Sequence, residues 1–142
     1  MSPSPDRWEH FPHPSDVGVR GLGDTKEAAF EQAALAMTAA ICDPATVAAR
    51  AAVDITCRAA DDELLLAAWL NALVYEMAAR RMLFSRFEVR LDGGALSARA
   101  WGEPLDAARH KPAVEVKGAT LAELSVRRAP GGSWLAQCVV DV

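Results

Sequence analysis

Two stretches far apart in the chain hold the residue types best suited to chemistry. Near the start, His10, His13 and Asp16 fall within Trp8-Glu9-His10-Phe11-Pro12-His13-Pro14-Ser15-Asp16-Val17-Gly18. At the far end, Asp141-Val142 follows an apolar strand pattern. If that last strand lies beside the one that begins at Asp16, three carboxylate groups converge: those of Asp16 and Asp141 and the α-carboxylate of Val142. His13 is then near enough to join them or to orient one. Oxygen-rich donor sets take hard cations such as calcium, magnesium or manganese, and an imidazole widens the choice to zinc or iron. A plainer alternative stays open, with Asp16 as a turn residue accepting backbone hydrogen bonds and Asp141 as an exposed strand end.

The other polar residues point less far. His10 reads as a polar residue on a strand face and His110 as a solvated loop histidine. Lys117 pairs with Glu115 or with an opposite strand, a surface contact of small worth. Asp61-Asp62-Glu63 precede an apolar run, where acids cap a helix and complement its dipole. No Ser-His-Asp order, Walker loop or nucleotide fingerprint is present, and Gly21-Leu22-Gly23 is too short to cradle a phosphate. The lack of a nucleophile-and-base constellation argues against a phosphohydrolase.

The elements that must position these residues follow from periodicity. Residues 1–6 read as a disordered tail and 7–142 as one domain. Trp8 to Phe11 is a brief strand; Pro12 and Pro14 place His13 and Ser15 on a loop or bend. A second strand runs from Asp16 to Leu22. Asp24 caps a helix reaching about Cys42, where Asp43-Pro44 ends it. Residues 43–50 connect to a strand over Ala51 to Ala60, with Val53, Ile55 and Cys57 inward. The helix from about Glu63 to Arg81 is apolar almost all round and reads as the central buried helix. Phe84 to Leu91 and Ala95 to Trp101 form a hairpin about Asp92-Gly93-Gly94. Gly102-Glu103-Pro104 breaks the alternation, and 105–112 is a loop. Val114 and Val116 make a short strand. Leu121 to Arg128 and Trp134 to Val142 form a last hairpin, although Thr120 to Glu123 also fits a capping box. The sum is an α+β single domain with two helices packed on a mostly antiparallel sheet.

Composition bounds the partners. A 142-residue chain with 51% hydrophobic and 24% charged residues can bury a sizeable core. The net charge of -4 and pI of about 5.3 supply no global basic field, so strong direct nucleic-acid binding is not expected. The three cysteines share no metal-ligand spacing and read as buried thiols in a reducing cytosol. The polar, proline-broken start carries no signal pattern, and the Leu64–Ala79 region is interrupted by Asn71 and Glu76. A cytoplasmic protein without a membrane span is the expectation.

Several motifs together resemble the archease family. They are Trp8-Glu9-His10-Phe11, His13-Pro14-Ser15-Asp16-Val17-Gly18-Val19 and Gly23-Asp24-Thr25-Lys26-Glu27-Ala28, with Phe30 beyond them. Then come Leu83-Phe84-Ser85-Arg86-Phe87-Glu88-Val89, Gly102-Glu103-Pro104-Leu105-Asp106, Arg109-His110, Glu115-Val116-Lys117-Gly118-Ala119-Thr120 and Asp141-Val142. The family carries His-Thr-Ala-Asp-(Val/Ile)-Gly at the second of these, so Pro14-Ser15 replaces Thr-Ala here, and Pro12 stands where an acid is usual. The resemblance implies a strand-helix-strand-strand theme. It also implies a non-catalytic cofactor of an RtcB-type RNA ligase in tRNA splicing and RNA repair, promoting the ligase's guanylylation from GTP and its multiple turnover. GTP and RNA would be met only through the ligase. By the same resemblance Asp16 and Asp141 match metal-binding acids, with the Val142 carboxylate a third ligand and calcium, magnesium or manganese the ion. Lys117, within Glu115-Val116-Lys117, matches a functionally important lysine, and His13 is placed for partner contact. An alternative role attached to the family is a chaperone or specificity factor for another RNA-processing enzyme, such as a tRNA methyltransferase.

Overall fold

The computed structural model describes residues 6–142. Its first element is a hairpin of β1 (Arg7–His13) and β2 (Asp16–Gly23), paired antiparallel from Arg7↔Leu22 to His13↔Asp16. The ladder therefore runs through Pro12, and the loop expected at 12–15 shrinks to Pro14-Ser15. Strand β1 is a sheet edge, where a residue without an N–H can turn its nitrogen away from the only partner. Pro14 fixes the φ of the first corner, and Ser15 takes a left-handed φ of 63° at the second. Of the expected tail, residues 1–5 lie outside the described residues. Asp6 is exposed, and its carboxylate accepts a hydrogen bond from the Asp24 N–H at 3.2 Å.

On its other side β2 pairs with β8 (Trp134–Asp141), from Val17↔Val140 to Gly23↔Trp134. The short β6 (Gly118–Ala119) and β7 (Ser125–Arg128) pair with β8 in turn, completing a five-stranded sheet. A separate three-stranded sheet places β5 (Ala95–Pro104) between β3 (Ala51–Arg58) and β4 (Met82–Asp92). All pairings are antiparallel, and two long helices, α1 (Lys26–Ile41) and α2 (Asp62–Arg80), join the single turn α3 (Ala107–His110). The α+β architecture is as read from sequence, with the strands divided between two sheets.

Helix α1, rather than α2, is the central one. It packs on β1, β2 and β8 of the larger sheet and on β4 of the smaller. Its buried face is mostly alanine: Ala29, Ala33, Ala34 and Ala36 are fully covered beside Phe30 and Met37. Small side chains let its backbone come close to β2. A Cβ on Gly21 would lie 2.1 Å from Ala29 O and 2.3 Å from Ala33 N. Polar contacts cross the same joints: Thr38 Oγ1 donates to Phe84 O at 2.8 Å, and Val89 N–H donates to Glu31 Oε2 at 2.9 Å. The leucine-rich α2 cannot approach as closely. It buries one face and leaves Leu64 and Tyr75 40% and 68% exposed.

Capping differs in detail. Thr25, not Asp24, caps α1, accepting from the Ala28 N–H at 3.0 Å. Asp61 caps α2 by accepting from the Leu64 N–H at 2.8 Å, and Asp62 pairs with Lys26 at 2.8 Å. Later in the chain β5 continues through Gly102-Glu103-Pro104 instead of breaking. Gly102 permits this, since a Cβ there would sit 1.8 Å from Leu83 O on β4. The expected loop at 105–112 contains α3, capped by the Asp106 carboxylate. The strand expected at Val114 and Val116 does not form; 111–117 is unpaired, and only Gly118–Ala119 joins the sheet. In the last hairpin Leu121 to Glu123 form a turn, with Glu123 at φ 54°, so β7 begins only at Ser125. Among the described residues no helix is long and apolar enough to cross a membrane.

The close seat of α1 on β2 is directly testable. Gly21→Ala forces two backbones apart with no flexible side chain to yield, and should cost about 3 kcal/mol of stability. Chemical denaturation should show a lower midpoint with an unchanged m-value.

Candidate functional site

Register alone carries three of the sequence-selected residues to one place. His13 is opposite Asp16 across the first hairpin. Because Val17 pairs with Val140, the next pair along is Asp16 with Asp141, and Asp141 in turn faces Gly118 on β6. Alternate residues of a strand share a face, and neighbouring strands lie about 4.8 Å apart. His13, Asp16 and Asp141 thus form one row on the face of the large sheet turned away from α1. The core-facing set is the other one, in which Val19, Cys138 and Val140 pack into the interior.

The row has acidic character and unspent hydrogen-bonding capacity. Asp16 is half-buried and Asp141 exposed, and among the described residues neither side chain enters a hydrogen bond or ion pair. Nδ1 of His13 is buried and has no partner among the described residues. Like charges directly opposite on adjacent strands repel, so a cation placed between them would relieve this row. It is not a closed cage. Among the described residues no three His, Cys, Asp or Glu side chains are grouped so as to hold a metal ion.

The flanking residues have separate stations. Lys117 N–H donates to Asp141 O at 2.7 Å, which brings the lysine to the end of the row, where its side chain is exposed. Glu115 is exposed and forms no pair with Lys117 among the described residues, contrary to the surface pair expected; it lies along a groove beside α2. Val142 packs its side chain against the core. Asn71 of α2 secures this corner by accepting from the Ala119 N–H at 2.9 Å and donating to Ala119 O at 3.3 Å. One amide side chain thereby closes the outer edge of β6.

The next positions on the same sheet face show why Gly18 follows the Asp16-Val17 pair. The Phe11 ring lies flat over Gly18, where a Cβ would stand 2.4 Å from the ring. Arg20 places its guanidinium 4.7 Å above the ring centroid, donates to Glu9 at 2.7 Å and to Gln137 at 2.8 Å. Gln137 donates onward to Glu123 O at 3.0 Å. Arg20 and Arg7 together hold the Glu9 carboxyl below its usual range. This layer closes the face immediately behind the acidic row. His10, expected simply on a strand face, instead donates from Nε2 to Ala36 O on α1 at 2.7 Å.

A second charged cluster was missed by sequence reasoning. His110 is 3% exposed rather than solvated, and Glu103 is 2% exposed. Nδ1 of His110 accepts the Asp106 N–H at 2.9 Å, so Nε2 carries the hydrogen given to Glu103 Oε2 at 2.9 Å. The same oxygen accepts from the Ala48 N–H at 2.8 Å, while Oε1 meets Arg109 at 2.8 Å. These partners, the Ala48 amide first, lower the Glu103 carboxyl to about 2. The signal available was an isolated acid in Gly102-Glu103-Pro104 with Arg109-His110 one short loop away. What could not be read was the fold of that loop back onto β5.

Comparison with known proteins places the whole chain. Residues 8–142 match the Archease protein family (MTH1598/TM1083). Protein archease of Pyrococcus furiosus is 37% identical over 140 residues, covering 96% of this chain and 99% of the relative. Protein archease of Methanosarcina barkeri is 33% identical over 147 residues and covers 100% of both. The solution structure of Methanobacterium thermoautotrophicum protein 1598 superposes with a TM-score of 0.82 at 28% identity, covering 95% of this chain and 98% of that one.

The Glu103 cluster yields a pH prediction. Its carboxyl titrates lower in the folded chain, at about 2 against an ordinary 4.5. Its stabilising effect is therefore complete above the unfolded value and is lost as pH falls from about 4.5 toward 2. Glu103→Gln should be less stable at neutral pH and should flatten this acid limb in a series of thermal melts. An acid limb as steep as wild type would show that other carboxylates govern it.

Proposed function

Since the chain belongs to the archease family, we propose that it is a non-catalytic cofactor of an RtcB-type RNA ligase, promoting guanylylation and repeated turnover in tRNA splicing and RNA repair. The observation that supports this reading is the row His13, Asp16 and Asp141, with Lys117 beside it, whose side chains have no hydrogen-bond or ion-pair partner among the described residues, the His13 Nδ1 being buried as well. Phosphoryl and nucleotidyl transfer depend on charge neutralisation and positioning more than on side chains that form bonds. A small acidic protein can contribute in that way without catalytic residues of its own.

Asp16 and Asp141 would hold a divalent cation, with His13 Nδ1 as the nearest further donor. The oxygen-rich set favours calcium, magnesium or manganese. Such an ion, when bound, supplies positive charge at the face presented to the ligase. The chain's own residues then orient that face: Asn71 and Asp141 fix the segment that bears Lys117, and Phe11 covers Gly18 of β2 beneath the Arg20 guanidinium. Lys117 offers a cation to a nucleotide phosphate or to a ligase carboxylate.

An activator shifts an enzyme only as far as its affinities for two enzyme states differ. The archease-bound ligase must accordingly favour its guanylylation-competent form. Ordinary couplings of this kind amount to about 1–3 kcal/mol, or roughly 5- to 150-fold.

Guanylylation of the RtcB-type ligase from the same source should be measured with GTP and divalent metal, with and without this protein. Stimulation within that range is expected, and Asp16→Ala and Asp141→Ala should each abolish it while leaving thermal unfolding close to wild type. A ligase indifferent to the wild-type protein across calcium, magnesium and manganese would overturn the reading and direct attention to another RNA-processing enzyme, a methyltransferase first.

A further inference from the structure

Strand β6 is two residues long, and Ala119, the second of them, gives both of its main-chain polar groups to one side chain of another element. Asn71 of α2 accepts the Ala119 N–H on Oδ1 at 2.9 Å and donates from Nδ2 to Ala119 O at 3.3 Å. These partners fix which way the amide points, since the N–H needs an acceptor and the carbonyl a donor. An amide paired so copies the bonds a neighbouring strand would make. Strand β6 therefore has β8 on one edge and a single side chain on the other.

Helix formation does not explain an asparagine at this position. Asn71 is exposed and lies in the middle of α2, where alanine is the better helix former. Among the described residues its side chain makes no hydrogen bond besides the two to Ala119. What this clamp holds adjoins the acidic row. Gly118 pairs with Asp141, and the Lys117 N–H donates to Asp141 O at 2.7 Å. A Cβ on Gly118 would stand 3.1 Å from Asn71 Oδ1, so α2 closes tightly over β6. Val116 is sunk in the core, which leaves the exposed Lys117 between an anchored residue and the clamped pair. The main-chain bonds of Lys117 and Thr120 run to β8. Two residues are fewer than a strand ordinarily needs, and Asn71 supplies the tie on the remaining edge.

We infer that Asn71 is a positioning residue for Lys117: its clamp on Ala119 keeps β6 on β8 and so holds the lysine at the Asp141 end of the row. The inference rests on the ligase reading. It assigns the placement of the lysine to a helix residue outside the row, which acts only through the strand it holds.

The first measurement is amide hydrogen exchange of the free protein. In Asn71→Ala the amides of Ala119 and Lys117 should exchange about 10- to 100-fold faster, the scale of two lost hydrogen bonds. Amides of the β2–β8 ladder should keep their wild-type rates, and thermal unfolding should stay close to wild type. The second is the guanylylation assay run as a double-mutant cycle, which separates positioning from general support. Lys117→Ala should lower stimulation roughly tenfold, as for loss of one charged contact, and Asn71→Ala by part of that. The double variant should stimulate no less than Lys117→Ala alone. Wild-type exchange at Lys117 in Asn71→Ala, faster exchange spread over the whole chain, or full stimulation by either single variant overturns the inference. So does a loss from Asn71→Ala that adds in full to that from Lys117→Ala. In each of these cases a wild-type protein that stimulates leaves the ligase reading standing. A wild-type protein that does not stimulate ends the ligase reading, and this inference with it.

Discussion

Strand β2 is gripped by two antiparallel ladders, with β1 on one side and β8 on the other, and the candidate donors take their places from those registers. Side-chain direction in a strand has a period of two, so a one-residue slip of either ladder would turn Asp16 or Asp141 from the outer face into the core. The register is locked from both faces. On the inner face Val19, Cys138 and Val140 are buried against the interior, and Gly21 admits the backbone of α1. On the outer face Phe11 covers Gly18, and the Arg20–Gln137 bond ties β2 across to β8. Separating chain ends that meet at Asp16 and Asp141 would therefore require the core and the outer layer to yield together.

The same constraint explains which helix became central. A helix lying between two sheets must come close to both, and only short side chains permit that without opening voids. The alanine face of α1 meets the condition, and Thr38 and Glu31 supply hydrogen bonds to β4. Helix α2 carries more hydrophobic bulk, yet bulk holds its axis away. It closes one flank, and it contributes to the site through a single polar residue, Asn71, clamped on β6.

Much of this was legible in the sequence because it depends on local pattern. Alternation set β3, the Gly93-Gly94 hairpin and β8, and the convergence of Asp16 with Asp141 followed from one assumption about strand neighbours. Where the reading failed, the deciding fact lay far along the chain. Pro12 sits in a ladder because β1 is an edge, which no local window reveals. Apolar content pointed to α2 as the buried helix, whereas close approach is a property of small residues. His110 looked solvated because its partner, Glu103, and the amide of Ala48 are supplied by segments that only the fold brings to it. The alternating run at Val114 to Lys117 is the opposite case: among the described residues it pairs with no strand, and Val116 packs into the core from an unpaired segment tied down at Ala113 and Lys117.

The two charged clusters together give a physical criterion for separating scaffold from site. A buried charge is tolerated when its hydrogen-bonding capacity is filled, and an incomplete polar cluster costs more than an apolar one. Around Glu103 every near group is matched: an amide and an imidazole on one oxygen, a guanidinium on the other, and a fixed tautomer on His110. Such a cluster pins the 44–50 connection and α3 to the end of β5 and has nothing left to offer a ligand. The row at the other sheet has the reverse character. Among the described residues its imidazole nitrogen is buried without a partner, its two carboxylates stand on adjacent strands without a counter-ion, and the lysine beside them is equally unengaged. The chain fills the capacity of Glu103 with residues of its own, whereas the described residues leave the capacity of His13, Asp16 and Asp141 open, and that contrast is what the proposed function rests on.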